Sequence, residues 1–221
     1  MTDYVIIVAG GVGTRMGATL PKQYLEIFGR PILMRTIDRF REFNEDFEFR
    51  IVLHKSAQEL WADLCQKHNF SFRGSVVVGG AERFYSVQNG LASIDSEIGI
   101  VAVHDAVRPF VSFETIESCF DKARKSGNAI PVVPVEQSMR HVDYHGSTSV
   151  NRDEYKLVQT PQCFEMKTLR DAYQQEFSTL FTDDASVVQA LGITINLVDG
   201  NRQNIKITTK EDLELANAMI S

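Results

Sequence analysis

Short β-branched runs alternate with amphipathic segments along most of the chain, and this alternation constrains the fold more than any other feature. Candidate strands are Tyr4–Ala9, Phe49–His54, Ser75–Val78, Ile98–His104, Ala129–Val135 and Thr194–Val198. Strands separated by helix-length segments pair most readily side by side, as a mostly parallel sheet with helices over both faces. Runs such as Val5-Ile6-Ile7-Val8 are apolar at successive positions, as strands covered on two sides must be. Pro31 to Phe43 places Leu33, Ile37 and Phe40 at helical spacing behind a proline at the helix start. Ser56 with Glu59, and Thr209 with Asp212, read as capping boxes before two further helices. No repeat, low-complexity tract or linker breaks the pattern, so residues 1–221 read as one α/β domain.

One stretch departs from the alternation. Residues 136–157, from Glu136 to Leu157, are polar throughout, with Tyr144-His145-Gly146-Ser147-Thr148 reading as a turn between two strands. Such an excursion has little apolar surface of its own, and long insertions in compact domains often make partner contacts. It reads as a protruding β-arm that packs on a second copy of the chain, giving a homodimer. His141 and His145 flank that turn without a third plausible ligand nearby, which argues against a closed zinc site.

The formal net charge of -6 argues against a general nucleic-acid binder, which would show a basic face. No apolar stretch approaches the ~20 residues that span a bilayer, and the run after Met1-Thr2-Asp3 is too short for a signal peptide. Cys65, Cys119 and Cys163 are scattered and odd in number, which fits a reducing compartment. A cytoplasmic protein with no nucleic-acid and no membrane partner is expected.

The chemistry concentrates where strands end. Tyr4–Val8 runs into Ala9, Gly10, Gly11 and Gly13, followed by Arg15 and then by Lys22 behind Pro21. Glycines allow a tight loop whose amides approach an anion, and two cations beside it suit a nucleoside triphosphate. The string lacks the G-K-[ST] of a Walker loop. It also misses the third glycine of a dinucleotide fingerprint, where Met16 stands and Gly17 follows one position late. Val76–Val78 ends in Gly79-Gly80-Ala81-Glu82-Arg83, with Ser86 close behind; this segment suits a base or ribose. Ile98–Val103 ends in His104-Asp105-Ala106-Val107-Arg108. Asp105 beyond a buried strand suits Mg²⁺ on triphosphate oxygens, or else caps a helix or pairs with Arg108. Arg108 itself suits a phosphate. His104 reads as an orienting residue rather than a base. Thr160 in Val158–Gln162, Thr182 at the start of a helix after Phe181, and Lys206 on a short strand within Asn204–Thr208 complete the polar set.

In order along the chain, AGGVGTRMG, PKQYL, GGAERFYSVQNGL, HDAVRPF, VQTPQCF, TDDASVV and NIKITTKEDL resemble the cytidylyltransferases that make 4-diphosphocytidyl-2-C-methyl-D-erythritol. The related ribitol-phosphate cytidylyltransferases share the glycine loop, HDAVRPF and NIK but differ around GGAER and TDDAS. The resemblance implies a Rossmann-like nucleotidyltransferase fold with a twisted, mostly parallel sheet, Mg²⁺ as cofactor, and CTP and a polyol phosphate as substrates. By the same resemblance Ala9, Gly10, Gly11 and Gly13 hold CTP, and Arg15, Lys22 and Lys206 are catalytic. Gly80, Arg83 and Ser86 surround base and ribose. Asp105 binds metal and the second substrate, which Arg108 and Thr182 also hold. Ser138, Arg152 and Thr160 complete the substrate contacts, with the arm supplied by a partner subunit. Ser138 stands where the family often has threonine, keeping the hydroxyl without the methyl.

Overall fold

The computed structural model describes residues 2–11 and 20–220. The strands are β1 (Tyr4–Ala9), β2 (Glu26–Ile27), β3 (Arg30–Pro31), β4 (Glu48–Leu53), β5 (Gly74–Val78), β6 (Ile100–Asp105), β7 (Asn128–Pro134), β8 (Arg140–Asp143), β9 (Gly146–Ser149), β10 (Lys156–Val158), β11 (Gln162–Glu165) and β12 (Leu197–Asp199). The helices are α1 (Ile32–Phe43), α2 (Gln58–Lys67), α3 (Arg83–Ala92), α4 (Phe113–Ser126), α5 (Met166–Ala172), α6 (Asp184–Gln189) and α7 (Lys210–Ala218). The main sheet runs β10-β7-β11-β6-β1-β4-β5, with β12 added beside β7. Pairs β6–β1, β1–β4, β4–β5 and β7–β12 are parallel. β11 runs antiparallel to both β6 and β7, and β10 antiparallel to β7.

β1 shows why helices cover both faces. Val5, Ile7 and Ala9 point into one core, where they meet Leu33, Ile37 and Phe40 of α1, Trp61 of α2 and Phe120 of α4. Tyr4 and Ile6 point into the other, against Phe84, Val87 and Leu91 of α3 and Leu169 of α5. The period-2 alternation of a strand thus feeds two clusters at once. Truncating the fully buried Ile6 to Ala would cost about 2–5 kcal/mol, transfer and cavity terms together. α3 sits close to the sheet at Gly90, where an added Cβ would lie 3.0 Å from Ile6 Cγ2 and 3.2 Å from Val52 Cγ2. This close approach brings the first turn of α3 over the end of β1.

Several expectations shift. Ser56 caps nothing; His54 caps a short 3₁₀ turn instead, and α2 starts at Gln58 without a side-chain cap. The Thr209–Asp212 capping box forms at α7, and Asp183 with Ser186 forms another at α6. Lys206 lies in irregular chain rather than on a strand. The last expected strand contracts to Leu197–Asp199, because it pairs with β7 over three positions only. β8 and β9 form an antiparallel hairpin whose residues are all exposed, with Tyr144 at the turn 92% exposed.

Candidate active site

The parallel strands β1 and β6 are neighbours, yet the chain leaves β1 toward β4 on one side and returns as β6 on the other. At such a switch point the loops beyond the carboxyl ends diverge and leave a crevice for a ligand. A cleft of about 250 Å³ opens there. It is lined by Ala9, Gly10 and Gly11 beyond β1, Gly80, Arg83 and Ser86 beyond β5, Asp105 at the end of β6, and Lys22, Gln23 and Lys206.

The glycine loop is held from beneath. Gln23, buried to 3% exposure, donates through Nε2 to the carbonyls of Ala9 (2.8 Å) and Gly11 (3.0 Å). The loop after β5 is fixed by Ser86, whose hydroxyl accepts from Gly80 N at 3.1 Å and donates to Glu82 O at 3.1 Å. Gly80 tolerates no side chain, since a Cβ there would meet Tyr85 Cβ at 2.2 Å. Ser86 lines the cleft, and its hydroxyl shapes this loop.

Asp105 stands among cations. Its Oδ2 lies 3.1 Å from Lys206 Nζ and 3.1 Å from Arg108 Nε. Burial alone would push the carboxyl up, but Lys206, Arg83 and Arg108 together hold it below the usual carboxylate range. It is therefore ionised at neutral pH. Of the alternatives open from sequence, the Arg108 ion pair forms. The second arm of Arg108 donates from Nη1 to the Asn204 carbonyl at 2.7 Å. Its guanidinium thus braces Asp105 and the Lys206 segment.

Behind Asp105 lies a fully buried imidazole. His104 Nε2 meets the Arg108 carbonyl at 3.0 Å and Nδ1 meets the Thr160 hydroxyl at 3.0 Å. The same hydroxyl accepts from Asp105 N at 3.1 Å. A carbonyl can only accept, so the ring hydrogen is on Nε2, and Thr160 donates to the neutral Nδ1. Burial pushes the imidazole down to about 4. Thr160 is consequently a support under Asp105, 5% exposed, and not a residue facing the cleft.

Arg83 also has a protein partner. Its fork donates to both carboxylate oxygens of Asp184, at 3.0 and 2.6 Å. Asp184 is fully buried and accepts a third bond from Tyr173 Oη at 2.6 Å. Burial lowers and Asp184 raises the guanidinium; the carboxylate wins, so the group stays charged. This pair ties α3 to α6 and holds Arg83 at the cleft wall.

A family model described as 2-C-methyl-D-erythritol 4-phosphate cytidylyltransferase (IspD) matches residues 4–221. The chain belongs to this family. It is 50% identical to the family member of Bacteroides thetaiotaomicron over 220 residues, covering all of both chains. Among solved structures, the 4-diphosphocytidyl-2C-methyl-D-erythritol synthase of Anaerococcus prevotii superimposes with a TM-score of 0.84 at 30% identity, covering 99% of this chain and 95% of that one. The 2-C-methyl-D-erythritol 4-phosphate cytidylyltransferase of Thermus thermophilus does so with 0.80 at 32%, covering 99% and 98%. The expected Rossmann-like nucleotidyltransferase fold is therefore observed, with its mostly parallel sheet and helices on both faces.

Within this family framework, the structure brings Ala9, Gly10, Gly11, Lys22, Gly80, Arg83, Ser86, Asp105 and Lys206 to one cleft. Gly13 and Arg15 lie outside the described residues. Thr182 is exposed just before α6 and does not line the cleft. Ser138 and Arg152 belong to the arm, away from it; Arg152 Nη1 donates to the Glu136 carbonyl. Sequence reasoning placed Gln23, Gln159, Asp184 and Asn204 within its motifs but gave them no role, and passed over Tyr173. Gln159 Nε2 donates to the Asn201 carbonyl at 2.9 Å, and Asn204 Nδ2 to the Thr160 carbonyl at 2.8 Å. Their only sequence signal is that each polar residue stands beside an apolar run or a charged site residue.

Proposed function

We propose that this cleft binds CTP and 2-C-methyl-D-erythritol 4-phosphate and that the chain transfers CMP from the first to the second. An oxygen of the acceptor phosphate attacks the α-phosphorus, a new P–O–P bridge forms, the α–β anhydride bond breaks and pyrophosphate leaves. The observation that carries this reading is the meeting of Lys22 and Lys206 with the Gly10–Gly11 backbone in one cleft at the switch point, in a chain matched over nearly its whole length by this family.

The acceptor phosphate is already an anion near neutral pH, so no general base is needed. In keeping with this, His104 is fully buried and both its ring nitrogens are engaged. The difficulty is repulsion between two anions. Lys22 and Lys206, with Arg15 by family resemblance, supply fixed positive charge where negative charge gathers in the transition state. Asp105, held by Arg108, orients the Lys206 ammonium at the cleft wall.

Cytidylyltransferases generally use a divalent metal, and Mg²⁺ is the one proposed. Its usual binding mode, one or two carboxylates plus substrate phosphates, fits the ionised Asp105 at the wall better than a protein cage would. When bound, the ion would neutralise charge on the triphosphate. Among the described residues no cluster of three metal-ligating side chains exists, so the nucleotide itself would supply most of the ligands.

Residues 1–221 form one nucleotidyltransferase domain in this reading, with arm 136–157 seated on a second copy. Its support is the exposure of Val142 (72%) and Tyr144 (92%), apolar surface that a partner would cover. Ser138 and Arg152 would then reach the partner's cleft. No helix among the described residues is long and apolar enough to cross a membrane. The three free cysteines support a reducing, cytoplasmic setting. The test is pyrophosphate release from CTP and Mg²⁺ with methylerythritol phosphate and ribitol phosphate side by side. Release with the first alone is expected; release with ribitol phosphate alone would overturn the acceptor assignment.

A further inference from the structure

Gln23 is 3% exposed, and its carboxamide reaches back twelve and fourteen residues to the loop beyond β1. A carboxamide nitrogen carries two hydrogens, and both are used: one on the Ala9 carbonyl and one on the Gly11 carbonyl. In a trans peptide the C=O and N–H point in opposite directions. Fixing the Ala9 carbonyl on Gln23 therefore turns the Gly10 N–H away from Gln23. Gly10 and Gly11 line the cleft at this point.

The same short turn, Lys22–Tyr24, carries Lys22 to the cleft. It is anchored by Tyr24, 1% exposed and packed near the Trp61 ring at 6.4 Å between centroids. One rigid turn thus sets both the backbone cradle and a cation beside it. We propose that Gln23 is a positioning residue for the nucleotide: it locks the Ala9–Gly11 backbone in the conformation that receives the triphosphate. It does so without being aimed at the reacting atoms, so it acts on nucleotide affinity and not on recognition of the acceptor.

This inference rests on the cleft being the CTP site, and the experiment separates the two. Initial rates are measured for wild type, Gln23→Met and Gln23→Glu with each substrate varied in turn, alongside thermal melting. Gln23→Met keeps the length and neutrality of the side chain but removes both donors. Its KM for CTP should rise roughly ten- to thirty-fold, the scale of two lost hydrogen bonds. Its KM for methylerythritol phosphate should stay within about twofold, since the lost bonds bear on the loop alone. Gln23→Glu places a carboxylate against two carbonyls and should be worse for CTP. If Gln23→Met does not fold, Gln23→Asn, which withdraws the amide by one methylene, is read in the same way. An unchanged KM for CTP, or equal changes in both KM values, overturns the assignment of Gln23. A wild-type chain that turns over no CTP overturns the reading of the cleft instead.

Discussion

Lowering the pH should unload the buried imidazole under the site in a measurable way. His104 is fully buried, and its neutral form alone satisfies the chain from Asp105 N through Thr160 to Nδ1, and from Nε2 to the Arg108 carbonyl. Its pKa is pushed from 6.5 down to about 4 by loss of solvent. Between those values the unfolded chain holds a proton on this ring that the folded chain does not. Stability from this group is therefore complete above about pH 6.5 and falls as the pH drops toward 4. Each pH unit is worth about 1.4 kcal/mol, so the interval amounts to roughly 3 kcal/mol. Urea unfolding of the nucleotide-free and metal-free protein from pH 8 to 4.5 measures it, with constant m-values guarding the comparison. Other groups titrate in the same range, so the difference between wild type and His104→Gln is the quantity of interest. The variant should lose some stability at pH 8 and show a flatter decline. Parallel curves for the two proteins would refute the argument that His104 is held neutral by burial.

Three other outcomes follow from the same geometry. Lys22→Ala should lower turnover roughly 10²-fold, the scale of one preorganised stabiliser; near-normal turnover in steady-state assays would remove Lys22 from the site. Arg83→Met and Asp184→Asn should each destabilise the fold, by about 3 kcal/mol for the first, because Asp184 is fully buried while Arg83 keeps 30% exposure and some screening. Their double variant should show a coupling of at least about 1 kcal/mol in a urea-unfolding cycle, and additive effects would mean the pair contributes little. Finally, mixing Arg152→Ala with Lys22→Ala chains should restore activity through heterodimers if the arm works in trans; verified subunit exchange without recovery would count against it.

The strands were largely legible from the chain because they are buried on two faces and so read as apolar runs. β1 matches residue for residue, and β4 to β7 match within two residues at each end. β10 and β11 were not legible. β11 is four residues long, contains Gln162, and owes its place to β6 and β7 on either side. The Ser56 cap failed because a 3₁₀ turn capped by His54 intervenes, which no local spacing reveals. At the site, glycines and lysines were legible since their chemistry is local to the strand ends. The destinations of Arg83, Ser86, Arg108 and Thr160 were not. A guanidinium or a hydroxyl binds a phosphate or a protein group with the same geometry. Only the position of Asp184, Gly80, Asn204 and His104 in space shows which protein partners they have.

The amino-acid sequence by itself determined the α/β class, the switch-point loops rich in glycine and cation, and the family. Periodicity and short-range spacing carry that information, because side-chain direction repeats every two or 3.6 residues. The tertiary structure decided which protein groups each cation is tied to and which cations meet at the cleft. Lys22, Arg83 and Lys206 line it. Arg83 is tied to an aspartate 101 residues away, and Arg108 is tied to a carbonyl 96 residues away. Contacts at that separation depend on how sheets and helices close in three dimensions. The cost of leaving a buried charge or donor unpaired then selects the partner.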